Sequence, residues 1–415
     1  MKNLYYITII GLLLLSCNRT KQSESAEIPF VVNQNSLFAE IQEDTNQDGS
    51  SPEKQVDITQ NSAFFEIPVD IDQNYSLPLS EIAEEITAIE LEMTDESLIN
   101  PDNIQRIFIS ENHIITVETS LVSGATAKIL VFNKDGKFLN RIGSRGQGPG
   151  EYTMITNVAL DEKNKRLFIA NFPNKIICYD LNGKFLKEST LKSSNTVLLD
   201  IKCINDEVLL LVNNQTSSPE FSSNTILLFR LNDDFQVIDS SFVRKNIFKS
   251  RRGIIRNFTT DYILKGNPSV FLYYSEIYPK ATTPPVEKVI RDTLYRFEDN
   301  QLVPELKLKF RNDGIDGGGS KFIHLFNIYR SSQYIFAFYF KDNGNSSYYF
   351  CYDTKTGQGY NMQDGYTDDI HNIETPVKIR PLNLNTEMFY YWHTHMDPDD
   401  IEEPNPTIYI GTLKK

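Results

Sequence analysis

The chain has 415 residues, of which 40% are hydrophobic and 12% aromatic, and its formal net charge is −14. This length can bury one large hydrophobic core or two ordinary ones. An acidic balance without a cluster of Lys and Arg argues against a nucleic-acid partner, because phosphates require basic side chains. The aromatic residues, 26 Phe and 21 Tyr against a single Trp, favour β-strands, since aromatic rings pack well on a pleated, half-buried surface.

The first residues are organised like a bacterial export signal. Lys2 supplies a positive charge, and residues 5–15 form an apolar run that is too short to span a bilayer. The run ends in Leu14-Leu15-Ser16-Cys17, which resembles the lipobox of bacterial lipoproteins. This resemblance implies that cleavage leaves a lipidated Cys17 at the mature N-terminus; an ordinary signal peptide with a chance cysteine is the alternative. We predict a lipoprotein signal peptide over residues 1–16.

The next segment, residues 17–75, is predicted to be a flexible acidic tether. It is polar and lacks hydrophobic periodicity, so it cannot offset the conformational entropy that is lost on ordering. Acyl chains on Cys17 would hold the tether at the membrane, each buried methylene contributing ~0.8 kcal/mol. We predict that the folded domain occupies residues 76–415.

Strand signals begin at residues 87–93, where apolar and polar residues alternate. A unit of strand, polar turn and strand then occurs five times, at residues 129–142, 176–189, 226–239, 292–308 and 348–362. The copies start 47, 50, 66 and 56 residues apart, which is the spacing of one four-stranded propeller blade with loop insertions. Apolar runs before the copies supply the remaining strands.

The clearest blade has strand signals at residues 157–160, 166–170, 175–180 and 184–187. The last two are joined by the pair Asn182-Gly183. An Asn-Gly pair between alternating apolar runs predicts a tight hairpin in which both turn residues have positive φ.

The tail of the chain supplies three more strand signals, at residues 377–384, 387–395 and 407–413. A sixth blade needs a fourth strand, and residues 87–93 can provide it. Closing the ring with strands from both ends of the chain removes the exposed edges of an open sheet. We therefore predict an all-β fold, a six-bladed β-propeller of four-stranded antiparallel blades that is closed by an N-terminal strand joining the C-terminal blade. Five or seven blades are the alternatives, because the later repeats are degenerate.

Residues 141–187 resemble an NHL-type propeller repeat. The pattern is a glycine-rich connection that ends in an aromatic residue, a V-x-x-D strand, a second apolar strand and an I-x-x-aromatic-D-x-x-G-K hairpin. The matching positions are Gly143, Gly146, Gly148, Gly150, Tyr152, Val158, Asp161, Ile176, Tyr179, Asp180, Gly183 and Lys184. Together with the lipobox, residues 65–415 resemble the six-bladed β-propeller lipoproteins of Bacteroides-type bacteria. The resemblance implies a propeller fold and a cell-envelope location, as an outer-membrane lipoprotein, and it carries over no catalytic residues.

The candidate metal ligands are His393 and His395. Two His at positions i and i+2 of a strand share one face, and imidazole with carboxylate suits zinc or a similar divalent ion. Carboxylates follow at Asp397, Asp399 and Asp400, but no third ligand stands at a fixed spacing. A strand end beside an acidic, solvated loop is the competing interpretation.

Six further residues are candidate ligand-binding positions. Arg145 and Glu151 belong to a glycine-rich connection that lacks the GK[ST] of a phosphate-binding P-loop and leads into a strand instead of a helix. Its glycines more simply let the chain turn from one blade to the next, although both charged residues could still face a ligand. Inner strands line the channel of a propeller, so position alone adds the candidates Asn157, Asp261, His324 and Arg380.

Three cysteines follow Cys17 along the chain. Cys178, Cys203 and Cys351 have no metal-like spacing. We interpret them as small buried hydrophobic residues, although an exported protein could also form a disulfide between two of them.

These features predict a binding or scaffold module without catalytic activity. No G-x-S-x-G elbow is present, and none of the five His stands beside a nucleophile. The alternative is an envelope hydrolase or lyase that acts on a saccharide or peptide at the channel mouth, because such sites leave no linear motif. Converging His and carboxylates on the inner strands would favour the enzyme, whereas apolar and backbone groups there would count against it.

The expected partners are the membrane, through the N-terminal lipid, and a saccharide, a peptide or another envelope protein. We predict a monomer with no nucleic-acid partner and no cofactor, apart from the metal considered at His393 and His395. A structural component of a larger outer-membrane complex is a third option, which would predict a broad apolar patch on one exposed face.

Overall fold

In the computed structural model, the described residues are 26–28, 65–119, 127–191, 195–204, 206–217, 222–248, 261–266, 269–274, 292–299, 301–314, 322–341, 346–383, 385–396 and 403–415. The signal peptide, Cys17 and most of the predicted tether lie outside these ranges, as do Asp397, Asp399 and Asp400. None of the helices in these ranges combines the length and the hydropathy that crossing a bilayer requires.

Four elements precede the first complete blade. They are strand β1 (Ala26–Ile28), strand β2 (Phe65–Val69), the helical turn α1 (Leu79–Ile82) and strand β3 (Ala83–Glu90). A single 3-10 turn at Pro101–Asn103 then leads into the blades, and the Asn100 side chain caps it by accepting the backbone N–H of Asp102.

The first three blades are built from twelve consecutive strands. Blade one contains β4 (Ile104–Ile109), β5 (His113–Thr119), β6 (Ala127–Asn133) and β7 (Phe138–Arg141). Blade two contains β8 (Ile155–Asp161), β9 (Arg166–Asn171), β10 (Lys175–Asp180) and β11 (Phe185–Leu191). Blade three contains β12 (Thr196–Ile204), β13 (Glu207–Ser217), β14 (Ser222–Leu231) and β15 (Val237–Phe248).

The last three blades follow in the same way. Blade four contains β16 (Ile263–Lys265), β17 (Val270–Leu272), β18 (Thr293–Glu298) and β19 (Gln301–Phe310), and ends in a 3-10 turn at Arg311–Gly314. Blade five contains β20 (Ile323–Arg330), β21 (Tyr334–Lys341), β22 (Ser346–Asp353) and β23 (Gln358–Gln363). A hairpin of β24 (Tyr366–Asp368) and β25 (Ile373–Val377) precedes blade six, which contains β26 (Arg380–Asn383), β27 (Met388–His393), β28 (Thr407–Leu413) and β3.

Among the four strands named for each blade, neighbouring strands are hydrogen-bonded in the order given and run antiparallel, and β3 is the one of these strands that comes from elsewhere in the chain. The six blades form a β-propeller, so the predicted fold is confirmed. Strand β3 pairs antiparallel with β28, with Glu90 opposite Thr407 and Ala83 opposite Leu413. The N-terminal strand therefore closes the ring as predicted, although it begins and ends a few residues earlier than the predicted range 87–93.

Each interface between neighbouring blades has its own hydrophobic cluster. Blades one and two share Ile129 and Ile177, and blades two and three share Phe168 and Phe229. The other four clusters lie between blades three and four, four and five, five and six, and six and one. Burial of apolar area is the dominant favourable contribution to folding, so the six interfaces hold the ring together.

The three described cysteines are free thiols. Cys178 and Cys351 are buried in the clusters between blades, which confirms the interpretation of these two as small hydrophobic residues. Cys203 is half-buried, and burial raises the pKa of its thiol to about 11, so the thiol is protonated at neutral pH.

Strand β2 is a fifth strand of blade four, and it pairs in parallel with β19 between Leu306 and Phe310. Ile67 and Val69 are buried in the cluster between blades four and five. The prediction that the tether extends to residue 75 is therefore wrong, because alternate apolar residues from Ile67 onward give this segment a face that the blade can cover. Strand β1 pairs in the same parallel manner with β11 of blade two.

The outer hairpins of blades one, two and three share one turn. In each, an Asn or Asp side chain accepts two backbone N–H groups, and the residue three positions later has positive φ. These pairs are Asn133 with Gly136, Asp180 with Gly183, and Asn232 with Phe235. The prediction that Asn182 and Gly183 both have positive φ is wrong: Asp180 builds a longer turn, in which only Gly183 has positive φ, at +83°.

We expect Gly183→Ala to lower the free energy of unfolding by more than the conformational cost alone. A side chain in the left-handed region costs roughly 1–2 kcal/mol. At Gly183 the added Cβ would also lie 2.8 Å from the carbonyl oxygen of Arg141, so this backbone must shift. Urea unfolding of the variant and the parent measures the difference.

The matched control is Gly357→Ala, at φ +73°, where the nearest atom to the added Cβ is the Tyr352 hydroxyl at 3.8 Å. This variant should show only the conformational cost. Equal losses of stability in the two variants would contradict the steric part of the explanation.

Candidate functional site

The first strands of five blades share a break in their pairing register. In β4, β8, β12, β20 and β26 the register shifts by one residue, as in a β-bulge, and a bulge re-aims the side chains beside it. The residue after the shift is polar in every case: Arg106, Asn157, Asp200, Asn327 and Asn383. One polar residue per inner strand therefore follows a register shift in five of the six blades.

Two of these side chains accept a hydrogen bond from the backbone of their own bulge. The Asn157 Oδ1 atom accepts the backbone N–H of Val158 at 2.8 Å, and the Asp200 Oδ1 atom accepts that of Ile201 at 2.8 Å. A bulge leaves a backbone N–H without its ladder partner, and the polar side chain satisfies it.

The first strands also bond directly to one another across blades, which identifies them as the inner strands around the axis. The Gln105 side chain of blade one donates to the Thr156 carbonyl of blade two at 3.1 Å. Arg380 of blade six donates to the Gln105 carbonyl at 2.6 Å. From β27, the second strand of blade six, the Tyr390 hydroxyl accepts the Ile107 N–H of blade one at 3.2 Å.

Asp261, just before β16, lies at the centre of a charged group that we call the channel cluster: Arg106, Asp200, Lys202, Asp261 and Tyr329. The Arg106 guanidinium and the Lys202 ammonium both bond to Oδ1 of Asp261, the latter at 2.5 Å. The Tyr329 hydroxyl donates to Oδ2 of the same carboxylate at 3.3 Å. One carboxylate thus connects side chains from blades one, three and five to blade four.

Asp200 is the second carboxylate of the channel cluster and is fully buried. Its Oδ2 atom accepts the backbone N–H groups of Tyr262 at 2.9 Å and Ile263 at 2.8 Å, which joins blade three to blade four. The Lys202 ammonium lies 3.6 Å from the Asp200 Oδ1 atom, so it stands between the two carboxylates.

Burial and charge shift the pKa values of these two carboxyls in opposite directions. Burial disfavours the charged form of Asp261, but Arg106 and Lys202 outweigh this effect and hold the pKa of Asp261 well below its usual range. Complete burial raises the pKa of Asp200, although Lys202 acts in the opposite direction. Burial and the neighbouring Asp261 raise the pKa of Tyr329, which keeps its hydroxyl protonated as a donor.

Two cavities meet at the channel cluster. The mouth cavity, of about 690 Å³, is bounded by the last residues of the inner strands and the turns after them. The side cavity, of about 310 Å³, lies between blades five and six. Both are lined by Arg106, Asp261 and Tyr329. The channel cluster therefore forms a wall that the two cavities share. A ligand in either cavity would contact this wall.

The predicted ligand-binding residues are distributed unevenly around this site. Asp261 lines both cavities and Arg380 lines the side cavity. Asn157 is buried in β8, and His324 lies at the start of β20; neither lines the two cavities.

Arg145 and Glu151 lie in the connection between blades one and two, away from both cavities. The Glu151 Oε2 atom accepts the Gly148 N–H at 2.7 Å, and a Cβ at Gly146 would lie 2.0 Å from the same oxygen. The Glu151 carboxylate therefore occupies the space that side chains at Gly146 and Gly148 would need. This arrangement agrees with the structural interpretation of the glycine-rich connection.

Sequence reasoning missed Arg106, Lys202 and Tyr329, which carry most of the site. The signal was present, because each is a polar group within an otherwise apolar inner strand, as in IQRIFIS and LLDIKC. A strand buried on both faces has no solvent to accept such a side chain, so a charge within it points to the channel.

His393 and His395 lie side by side as predicted, with ring centroids 4.7 Å apart. The Nε2 atom of His395 lies 2.7 Å from the Tyr409 hydroxyl, and burial together with His395 lowers the pKa of His393. In the described part of the chain, no group of three or more His, Cys, Asp or Glu could hold a metal ion. The candidate carboxylates after His395 lie outside that part, so the metal site stays a prediction.

Comparison with known proteins gives a family and a fold. The family described as "Domain of unknown function (DUF4934)" matches residues 62–408. No curated protein matches the chain.

Among solved structures, a presumed exported protein of Bacteroides fragilis is similar over 85% of this chain and 100% of its own, with 19% identity and a TM-score of 0.55. An oligogalacturonate lyase of Vibrio parahaemolyticus covers 78% of this chain and 82% of its own, with 9% identity and a TM-score of 0.38. At these identities the likeness concerns the fold alone.

We expect Asp261→Asn to lower the free energy of unfolding at pH 7 by about 3 kcal/mol, because it leaves Arg106 and Lys202 half-buried without their shared counter-charge. A carboxyl with a lowered pKa stabilises the folded state above its unfolded pKa, about 3.9, and loses this effect as the pH falls below that value. The difference between parent and variant should therefore be constant above about pH 5 and shrink at lower pH. Urea unfolding from pH 3 to pH 8 measures it.

The matched control is Asp72→Asn, which removes an exposed carboxylate bound to Arg311 at 2.8 Å. Exposed ion pairs contribute about 0–1 kcal/mol. If the two variants lost the same stability at pH 7, the channel cluster would not be the buried electrostatic centre described above.

Proposed function

The chain belongs to the family of the domain of unknown function DUF4934, and we propose that it is a ligand-binding β-propeller of the cell envelope. The observation that carries this proposal is the channel cluster, in which four blades place charged and hydrogen-bonding groups around one open cavity. The mouth cavity, at about 690 Å³, has the size of a small-molecule site, for which roughly 300–1,000 Å³ is typical.

The composition of the cavity walls supports binding over acid–base catalysis. Neither cavity is lined by a histidine among the described residues, and the charged groups are arginines, lysines and carboxylates that mostly bond to one another. Such a wall offers fixed donors and acceptors to a ligand. The sequence analysis considered two inner surfaces: converging His and carboxylates, which would favour an enzyme, and apolar and backbone groups, which would count against one. The observed inner surface matches neither of them.

One observation favours an enzyme as the second candidate. Asp261 and Asp200 share Lys202, and their pKa values are shifted in opposite directions. Paired groups with separated pKa values are the arrangement that acid–base catalysis uses. A hydrolase or lyase at the mouth cavity would place the scissile bond of a saccharide or peptide beside this pair.

The proposal also includes export of the protein and its anchoring by an N-terminal lipid. The lipobox-like run that ends at Cys17 supports them, and so does the likeness in fold to a presumed exported protein. A lipid-anchored propeller would face the envelope with its mouth cavity open to small molecules or to the ends of polymers.

We expect Cys17→Ala to abolish lipidation and to move the protein from the membrane fraction to the soluble fraction. The measurement is metabolic labelling with a fatty acid, followed by fractionation and mass analysis of the N-terminal peptide. Cys203→Ala is the control, since it removes a cysteine of the propeller and should leave labelling unchanged. Label retained in Cys17→Ala, or a mature N-terminus elsewhere, would contradict the anchor.

Recovery of a bound compound tests the binding function. We expect the purified protein to enrich one or more small molecules from a desalted envelope extract, detected by mass spectrometry after ultrafiltration and denaturation. Leu160→Trp adds a ring at the mouth cavity and should reduce recovery at least tenfold, because Leu160 lines that cavity.

Leu186→Trp is the matched control, since Leu186 lies on the outer strand of the same blade and is 41% exposed. Equal recovery by the two variants would contradict binding at the mouth cavity. Time-dependent conversion of the recovered compound by the parent protein, absent in Leu160→Trp, would favour the enzyme instead.

A further inference from the structure

The side cavity contains an arginine, Arg380, that has no carboxylate partner among the residues that the structure describes. Among the described residues, Arg380 forms no ion pair, in contrast to Arg106, which is bound to Asp261. Two contacts nevertheless fix its position: one amino group donates to the Gln105 carbonyl at 2.6 Å, and the guanidinium lies 4.5 Å from the centroid of the Trp392 ring. A guanidinium has five N–H donors, so most of them are available to a ligand.

The charge of the side cavity is positive although the protein is acidic. Its lining contains Arg106, Arg380 and Lys378 against one carboxylate, Asp261, which Arg106 and Lys202 already neutralise. The chain as a whole carries a net charge of −14. A half-buried positive site in such a protein would draw an anion inward, because opposite charges interact more strongly where water is excluded.

The rest of the side cavity is mainly aromatic. Nine of its 21 lining residues are Phe or Tyr: Phe108, Phe326, Tyr329, Phe336, Phe338, Tyr349, Tyr366, Phe389 and Tyr390. Aromatic faces bind flat apolar rings and the apolar faces of sugar rings. The hydroxyls of Tyr349 and Tyr366 form no hydrogen bond with a described residue, and burial raises the pKa of both, so they stay protonated.

One further polar atom in the lining has no hydrogen-bond partner among the described residues. Oδ1 of Asn327 is buried and accepts no hydrogen bond in the described part of the chain, whereas its Nδ2 donates to the Tyr329 hydroxyl at 2.9 Å. A buried acceptor without a partner costs about 1–3 kcal/mol. A ligand hydroxyl or N–H would satisfy it.

We propose that the side cavity binds a small carboxylate carried on a ring with an apolar face, with the carboxylate on Arg380 and the ring among the aromatic side chains. This inference rests on the proposed binding function and names the chemical class of the ligand. The guanidinium fork matches a carboxylate with two parallel hydrogen bonds. The volume of about 310 Å³ limits the ligand to roughly one or two rings.

The test is calorimetric titration of the mature chain from residue 17, carrying Cys17→Ala, with two acids and their matched neutral compounds. The acids are 3-phenylpropionate and glucuronate, and the neutral compounds are 3-phenylpropanol and methyl glucoside. We expect at least one acid to bind tenfold or more tightly than its neutral match, and the pair that does so identifies an aromatic or a sugar ring.

Arg380→Gln should weaken binding of that acid at least tenfold, and Arg380→Lys should weaken it less, because the charge remains. Tyr349→Phe removes one unpartnered hydroxyl and provides a second test that leaves the packing of the ring intact. Arg311→Gln is the control, since Arg311 is exposed and bound to Asp72 on blade four.

Two outcomes would overturn the inference. One is an acid that binds the parent and Arg380→Gln with equal affinity, and the other is the absence of acid binding at 10 mM for both probes. Neither outcome affects the recovery experiment at the mouth cavity, where Leu160 and not Arg380 is changed. Failure of the carboxylate site and failure of the binding function are therefore distinguishable.

Discussion

The pairing of β3 with β28 is the constraint on which the rest of this propeller depends. It joins the N-terminal strand to the last blade and so closes the ring. Blade six can then contact blade one, where the Tyr390 hydroxyl bonds to the Ile107 N–H beside Arg106. Within this closed ring, Arg106 of blade one contacts Asp261 of blade four across the axis. Closure of the sheet and assembly of the site are consequences of the same backbone pairing.

The channel cluster is an inefficient way to gain stability. Taking charged groups out of water costs several kcal/mol per ion, and apolar side chains of similar volume often serve stability equally well or better. The blades themselves are held by six apolar clusters that do not need these charges. The proposed binding function would account for Arg106, Lys202 and Asp261 at the axis, because the ring positions these groups before a ligand arrives.

The fold could be predicted from the sequence because its signals are local. Alternation of apolar residues, the turn chemistry around Asp180 and Gly183, and the spacing of the repeats each act within one blade. Strand β2 was missed because it is a fifth strand added to blade four, which four strands per blade do not require, whereas β3 was needed to complete blade six. The site was only partly predicted: Asp261 and Arg380 were found as inner-strand residues, but their neighbours come from other blades. Arg106 and Asp200 each follow a register shift. The sequence shows that a charged residue stands in an apolar strand at these positions, but it does not show which residues that side chain contacts.

The central claim is that ring closure brings Arg106 of blade one and Asp261 of blade four into a shared, half-buried ion pair. A double-mutant cycle with Arg106→Met and Asp261→Asn, measured by urea unfolding at pH 7, tests it most directly. Close pairs show coupling free energies of about 0.5–3 kcal/mol, whereas distant residues are additive within about 0.5 kcal/mol. The structure predicts a coupling of at least about 1.5 kcal/mol for this pair. Additive losses would mean that the two side chains do not form this ion pair, and they would contradict the site described at the axis.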